Sequence, residues 1–210
     1  MIWRLVAPVR VVIQRVRNWR FWLLATCGAL LLGLWLVTIP PALPSHDRVV
    51  GAWMPSEAWL YDRHGQLLDS QRVNFHARRL AWVPITRVSP ALIDAVTTAE
   101  DRRFRDHDGV DWLAIANAMW ARVSGERSRG ASTISMQVAA FLAPSLAVPG
   151  ARSWIDKLRQ MRAASVLEDR WSKDQILEAY LNLAGFRGES QGIGAGIRHV
   201  LPDRVSLAAD

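Results

Sequence analysis

From Phe21 to Ile39 the chain runs for nineteen residues, FWLLATCGALLLGLWLVTI, without a charged side chain. At about 1.5 Å per helical residue, that run nearly matches the roughly 30 Å hydrocarbon core of a bilayer. Trp19, Trp22 and Trp35 sit near its ends, where indoles favour the headgroup region. A cleaved leader usually has an apolar stretch of about 7–15 residues closed by small side chains. This stretch is longer and continues into IPPALP. The reading is an uncleaved membrane anchor over 21–39.

Arg4, Arg10, Arg15, Arg17 and Arg20 precede the run, with no acidic residue before it. The positive-inside bias then places residues 1–20 in the cytoplasm and everything after Pro40 outside. The same arginines account for most of the net charge of +7. Taking five from 26 leaves 21 basic against 19 acidic residues, a balance of +2. The basic excess is thus a topology signal and no argument for nucleic acid. Cys27, the only cysteine, lies in the apolar run, so neither an intrachain disulfide nor a cysteine metal site is available. The five histidines show no H-E-x-x-H spacing, so no metal site is expected.

Beyond the anchor, Pro40, Pro41 and Pro44 stiffen a linker over 40–58. AWLYDRHGQLLDS predicts a hairpin turning at 63–65. Ser89 before Pro90 opens a helix, ALIDAVTTAED, with Leu92, Ala95, Val96 and Ala99 on one face and Glu100 at its end. Trp112, Ile115, Ala116, Met119 and Val123 recur at helical spacing and predict the next helix. A helix begins near Ser132, and another spans 154–170. In the next segment Ser172 and Gln175 have capping-box spacing before a stripe of Ile176, Leu177, Tyr180 and Leu181. The part beyond the anchor is expected to be mainly α, with a small β element.

Residues 99–111, AEDRRFRDHDGVD, crowd carboxylates, arginines and a histidine around one phenylalanine. Glu100 ends an apolar helix, where partial desolvation would make it a better proton acceptor; ordinary surface charge at a helix end is the bland reading. Asp101, Arg102 and Arg103 could tune it or bind an anion. The run from Gly130 to Thr133 offers backbone N–H groups and two hydroxyls at a helix start, either an anion cradle or plain capping by Ser132. Arg152, Lys157 and Arg159 form a basic cluster that faces an anion or only solvent. Gly185, Gly188, Gly192, Gly194 and Gly196 suggest close-packed turns, and GIGAG without a preceding strand is weak evidence for a dinucleotide site. Behind an anchor, these segments suggest an enzyme acting on a lipid-linked phosphate.

Taken in order, YDRHGQLL, VSPALIDAVTTAEDRRFRDHDGVD, RGASTISMQ, the helix around 157–168 and WSKDQILEAYLNLAGFRGESQGIGA resemble the family 51 glycosyltransferases. These are the peptidoglycan polymerase domains of class A penicillin-binding proteins. The resemblance covers roughly Trp59 to Leu201, and FRGESQGIG with Gln137 is most similar to the 1C-type branch.

The resemblance implies a lysozyme-like, mainly helical domain over 59–210, on the outer, periplasmic face of the inner membrane. It implies polymerisation of lipid II into β-1,4 glycan strands, with inversion and release of undecaprenyl pyrophosphate. Glu100 would be the general base; Asp101, Phe104 and His107 would shape the first motif. Gly130, Ser132, Thr133 and Gln137 would line the donor site, with Gln160, and Arg152 and Lys157 would neutralise pyrophosphate. The partners implied are lipid II, the growing strand, the membrane and other cell-wall synthesis proteins. A divalent cation, Mg or Mn, assists many members, but no motif here demands one.

The chain departs from the family pattern at Gln160, where a second carboxylate is usual, at Ala140, where a basic residue is usual, and at Asp156, which replaces an arginine. Fewer cations beside a pyrophosphate imply weaker donor binding. The region after the fourth motif is thin and no Ser-x-x-Lys is present, which reads as a truncated family member. Two other functions follow as alternatives: a non-catalytic remnant that binds lipid II or partners, and a lysozyme-like hydrolase.

Overall fold

The computed structural model describes residues 6–126, 130–146, 153–186 and 188–200. The chain divides into two compact units, one ending at Ile39 and the other beginning at Pro40.

The first unit is helix α1, Val6–Val37. Within it Trp19–Val37 is apolar and long enough to cross a membrane, with a mean hydropathy of 1.8. The sequence reading of 21–39 is displaced from this window by two residues. Its last two residues, Thr38 and Ile39, lie beyond the helix end.

The second unit is mainly α with a small β-hairpin, consistent with the lysozyme-like architecture that the resemblance implies. Its order is α2 (His46–Gly51), β1 (Glu57–Tyr61), β2 (Leu67–Arg72), β3 (Arg78–Arg79), α3 (Pro90–Glu100) and α4 (Trp112–Ser124). There follow α5 (Ile134–Leu142), α6 (Trp154–Glu168), α7 (Lys173–Leu183), β4 (Ser190–Gln191) and α8 (Ile193–Val200). The segment over 40–58, read as a spacer, packs into this unit. Leu43 joins the core, and the ring of His46 stands edge-on to Trp171 at 5.1 Å.

Helix α5 is the centre of the unit. Six of its nine residues are buried, so it is apolar nearly all round, as a helix enclosed on every side must be. It packs against α6 and α7 through Ile134, Val138, Ala163, Leu167, Ile176 and Leu177, all fully buried. The stripe expected on α7 is the one that faces this core. Ser172 and Gln175 form the expected capping box, each side chain accepting from the other's backbone N–H.

The hairpin pairs Trp59 with Ser70 and turns where expected, through Gly65 at φ +80. Asp62 Oδ1 accepts from the N–H groups of His64 and Gln66, each at 2.8 Å, which fixes the turn. A parallel pairing of β3 with β4 is an element that two-residue strands do not announce in a sequence. It also places a strand before GIGAG, contrary to expectation. A two-residue strand makes no dinucleotide-binding unit, and those glycines serve packing. A side chain at Gly192 would put its Cβ 2.6 Å from the carbonyl of Asn182.

Two helices divide their apolar residues between core and solvent. On α4, Trp112, Met119 and Val123 are exposed; the inward side is Ala114, Ile115, Ala118 and Ala121. Both stripes have helical period. The small side chains Ala114, Ala118 and Ala121 line the groove, and the indole and thioether groups face away from the core. On α3, Leu92, Ile93 and Val96 meet the core while Ala95 and Ala99 are exposed, since bulky apolar groups gain more from burial than a methyl does.

Candidate active site

Ser89 accepts a hydrogen bond from Leu92 N–H and Pro90 fills the first helical position, so α3 starts as the sequence indicates. It stops after Glu100 because Asp101 adopts an extended backbone, φ −155 and ψ 80. The two adjacent carboxylates therefore part. Glu100 is exposed and lines a groove of about 900 Å³. Its exposure agrees with the reading of an ordinary charge at a helix end rather than with a desolvated one. Its Oε2 accepts from Gln137 Nε2 at 3.1 Å.

Asp101 turns inward and is 6% exposed. Its Oδ2 accepts from Ile134 N–H at 3.0 Å, and His107 Nε2 lies 3.1 Å from both of its oxygens. A carboxylate at the start of a helix is favourably placed against unpaired N–H groups and the helix dipole. Thr133, not Ser132, is the residue that caps α5: its Oγ1 accepts from Met136 N–H at 3.1 Å and donates to Gly109 C=O at 2.6 Å. The anion-cradle reading of the α5 start is therefore corrected. That helix end already holds an anion, the protein's own Asp101.

Phe104 and His107 are buried beside it, 1% and 8% exposed, so they shape the first motif from within. Lys173 spans the layer beneath. Its ammonium stands 4.7 Å from the Phe104 ring centroid, donates to His107 C=O and pairs with Glu168 Oε2 at 2.5 Å. Glu168 in turn accepts from Ser135 Oγ. Gly109 makes this layer possible. At φ +85 it lies so close to α6 that a Cβ there would fall 2.7 Å from the backbone of Ala164 and Ser165. Beside it, burial opposes the charge of Asp111. The Ala114 N–H and the Arg103 guanidinium outweigh that burial and hold the carboxyl below its usual range.

Ser132 faces the groove, and Lys157 Nζ donates to its Oγ at 2.6 Å and to Gln160 Oε1 at 3.4 Å. Gly130, Gln137 and Gln160 also line the groove, with Ala140 at its wall. Of the sequence-derived candidates, the structure brings Glu100, Gly130, Ser132, Gln137 and Gln160 around one groove, with Lys157 bonded to two of them, Ser132 and Gln160. Thr133 and Asp101 reach its wall from the interior. Arg152 lies outside the described residues. Asp156 accepts from Ser153 N–H at 3.2 Å and completes the capping box of α6, a physical reason for an acid at that position.

One neighbour of Glu100 was missed. Tyr180, read only as part of the α7 stripe, has its ring 6.3 Å from that of Phe141. Burial first, then the charge of Glu100 and a hydrogen bond to it, push its phenol up to about 12. A hydroxyl in an otherwise aliphatic stripe was the signal available. Among the described residues, no three His, Cys, Asp or Glu side chains are grouped to hold a metal ion.

A mainly helical domain built on one buried central helix, with Glu100, Ser132 and Gln160 lining one groove, is of the lysozyme-like class. A model of the transglycosylase family matches residues 64–206, and the chain belongs to that family. It is 42% identical over 118 residues to a biosynthetic peptidoglycan transglycosylase of Pasteurella multocida (strain Pm70), covering 56% of this chain and 46% of that one. A protein of the same name from Rhodospirillum centenum (strain ATCC 51521 / SW) is 44% identical over 105 residues, 49% of this chain and 43% of the relative. Another, from Yersinia pseudotuberculosis serotype O:1b (strain IP 31758), is 32% identical over 162 residues, 77% and 59%. The chain thus spans about half the length of the curated relatives it matches. Their shared name does not distinguish the 1C-type branch.

Proposed function

We propose that this protein is a peptidoglycan glycosyltransferase that joins lipid II units into β-1,4 glycan strands. One observation carries the reading: Glu100 and Ser132 line the same groove, and the Lys157 ammonium donates to that Ser132 hydroxyl. The acceptor sugar's 4-hydroxyl gives its proton to Glu100 as its oxygen attacks the donor's anomeric carbon from the face opposite the leaving group. The bond from that carbon to the pyrophosphate oxygen breaks, and the departing charge falls beside the Lys157 ammonium. Preorganised charge of this kind lowers the barrier because it needs no rearrangement during reaction.

Gly130, Ser132, Gln137 and Gln160 form the donor wall in this scheme, with Arg152 as a second cation. Asp101, Phe104, His107 and Thr133 hold that wall in register. The chain divides into a cytoplasmic segment 1–20, an anchor 21–39, a segment 40–58 and a glycosyltransferase domain 59–210 on the periplasmic side. The arginines before the span support that orientation. The exposed Trp112, Leu113, Met119, Trp120 and Val123 of α4 give the domain an apolar surface suited to lipid.

The test is consumption of lipid II by the full chain in detergent or vesicles, followed by separation of glycan products. Wild-type protein should give polymer and Glu100→Gln should give none. Equal background from both would defeat the reading, and soluble muropeptides released from purified sacculi would mark a hydrolase instead.

A further inference from the structure

Glu100 and Asp101 are consecutive, and one helix holds both carboxylates. In the interior, the Ile134 N–H at the start of α5 donates to Asp101 Oδ2 at 3.0 Å. Three residues further along α5, Gln137 Nε2 donates to Glu100 Oε2 at 3.1 Å, and both of these side chains line the groove. The two bonds do different things. The first fixes the turn after α3, and the second fixes only where the Glu100 carboxylate points. An exposed glutamate has three side-chain torsions, so without a partner its carboxylate would sample many directions. Gln137 stands on firmer ground. It is half-buried, and its chain neighbours Met136 and Val138 are fully buried in the core.

We infer that Gln137 is a positioning residue, whose side-chain amide holds one carboxylate oxygen of Glu100 and so aims the other at the incoming 4-hydroxyl. This is a task beyond lining the donor wall, and it rests on the proposed role of Glu100 as the general base. With Oε2 engaged, Oε1 carries the open lone pairs that receive the proton. An amide suits the task because it donates a hydrogen bond without being an acid or a base itself. It therefore orients the carboxylate and does not compete for the transferred proton. The donor also sits on the most enclosed helix of the domain, so its own position is set before substrate arrives.

The experiment is steady-state kinetics on lipid II with the full chain in detergent. Gln137→Met keeps the length of the side chain and removes the donor. It should lower kcat about tenfold and leave KM within about twofold, as expected for one charge-assisted hydrogen bond at the reacting group. Gln137→Glu, nearly the same shape, sets a second carboxylate against the first and should lose at least as much. In a Glu100→Asp background the shorter carboxylate falls short of the amide, so Gln137→Met should cost less than about twofold more. A loss carried by KM rather than kcat would make Gln137 a donor contact only and overturn the inference. No loss at all, or full additivity with Glu100→Asp, overturns it as well. Absence of polymer from wild-type protein overturns the functional reading instead. The contact is then decided by NMR of the Gln137 side-chain amide in nitrogen-15-labelled protein. Its protons should exchange with solvent faster in Glu100→Ala, and an unchanged rate would show that the amide does not hold the carboxylate. The same measurement decides if neither Gln137 variant folds.

Discussion

The carboxylate of Asp101 accepts the N–H of Ile134 at 3.0 Å, and this bond joins the turn after the candidate base to the start of the central helix. Glu100 is the next residue back, so its place in the groove depends on a buried partner. Asp101→Ala leaves the Ile134 N–H and the His107 ring unpaired in the interior. The expected cost is about 3 kcal/mol, read as a lower unfolding midpoint in denaturant. A change under about 0.5 kcal/mol would show that the bond is not structural.

Gly109→Ala should be among the most damaging small substitutions. It combines a left-handed φ of +85 with a Cβ 2.7 Å from the α6 backbone. Strain and overpacking together imply a loss of at least about 2 kcal/mol. Thermal unfolding of the purified variant measures it.

Lys157→Ala should raise the KM for lipid II more than it lowers protein stability. The ammonium is anchored by Ser132 at 2.6 Å, beside the departing pyrophosphate in the proposed reaction. A loss of roughly 10- to 100-fold in kcat/KM is expected for one such cation. Lys157→Arg should recover part of it, and steady-state kinetics on a lipid II series decides.

The Asp111 carboxyl caps α4 through Ala114 N–H at 2.8 Å and pairs with Arg103. Its folded-state pKa is depressed below 3.8. It therefore contributes stability above that value, which is lost as pH falls through the folded pKa. Asp111→Asn keeps the cap and loses the charge, so its deficit at pH 7 should shrink below about pH 4. Asp111→Ala should lose about 1 kcal/mol more at both pH values. A deficit independent of pH would contradict the ion pair.

The outward face of α4 gives a test of its own. Met119→Lys and Val123→Lys should alter stability by less than about 0.5 kcal/mol, because both side chains are exposed. Ala121→Lys, on the buried side, should prevent normal packing. Circular dichroism melts separate the two cases, and the reverse order would restore the stripe expected from periodicity.

Much of this protein was legible along the chain because its signals are local. The apolar run, the arginines before it, the Ser89–Pro90 start, the Ser172–Gln175 box and the α7 stripe each depend on residues within a few positions. The helix that delivers Glu100 is legible for the same reason. Periodicity on α4 gave the element but not its buried face, since period alone cannot tell an inward alanine row from an outward aromatic one. The parting of Glu100 from Asp101, the capture of the α5 start by Asp101 and the approach of Tyr180 were settled only in three dimensions. The last two join residues more than thirty positions apart, and only the packing of α5 between its neighbours decides which side chains meet.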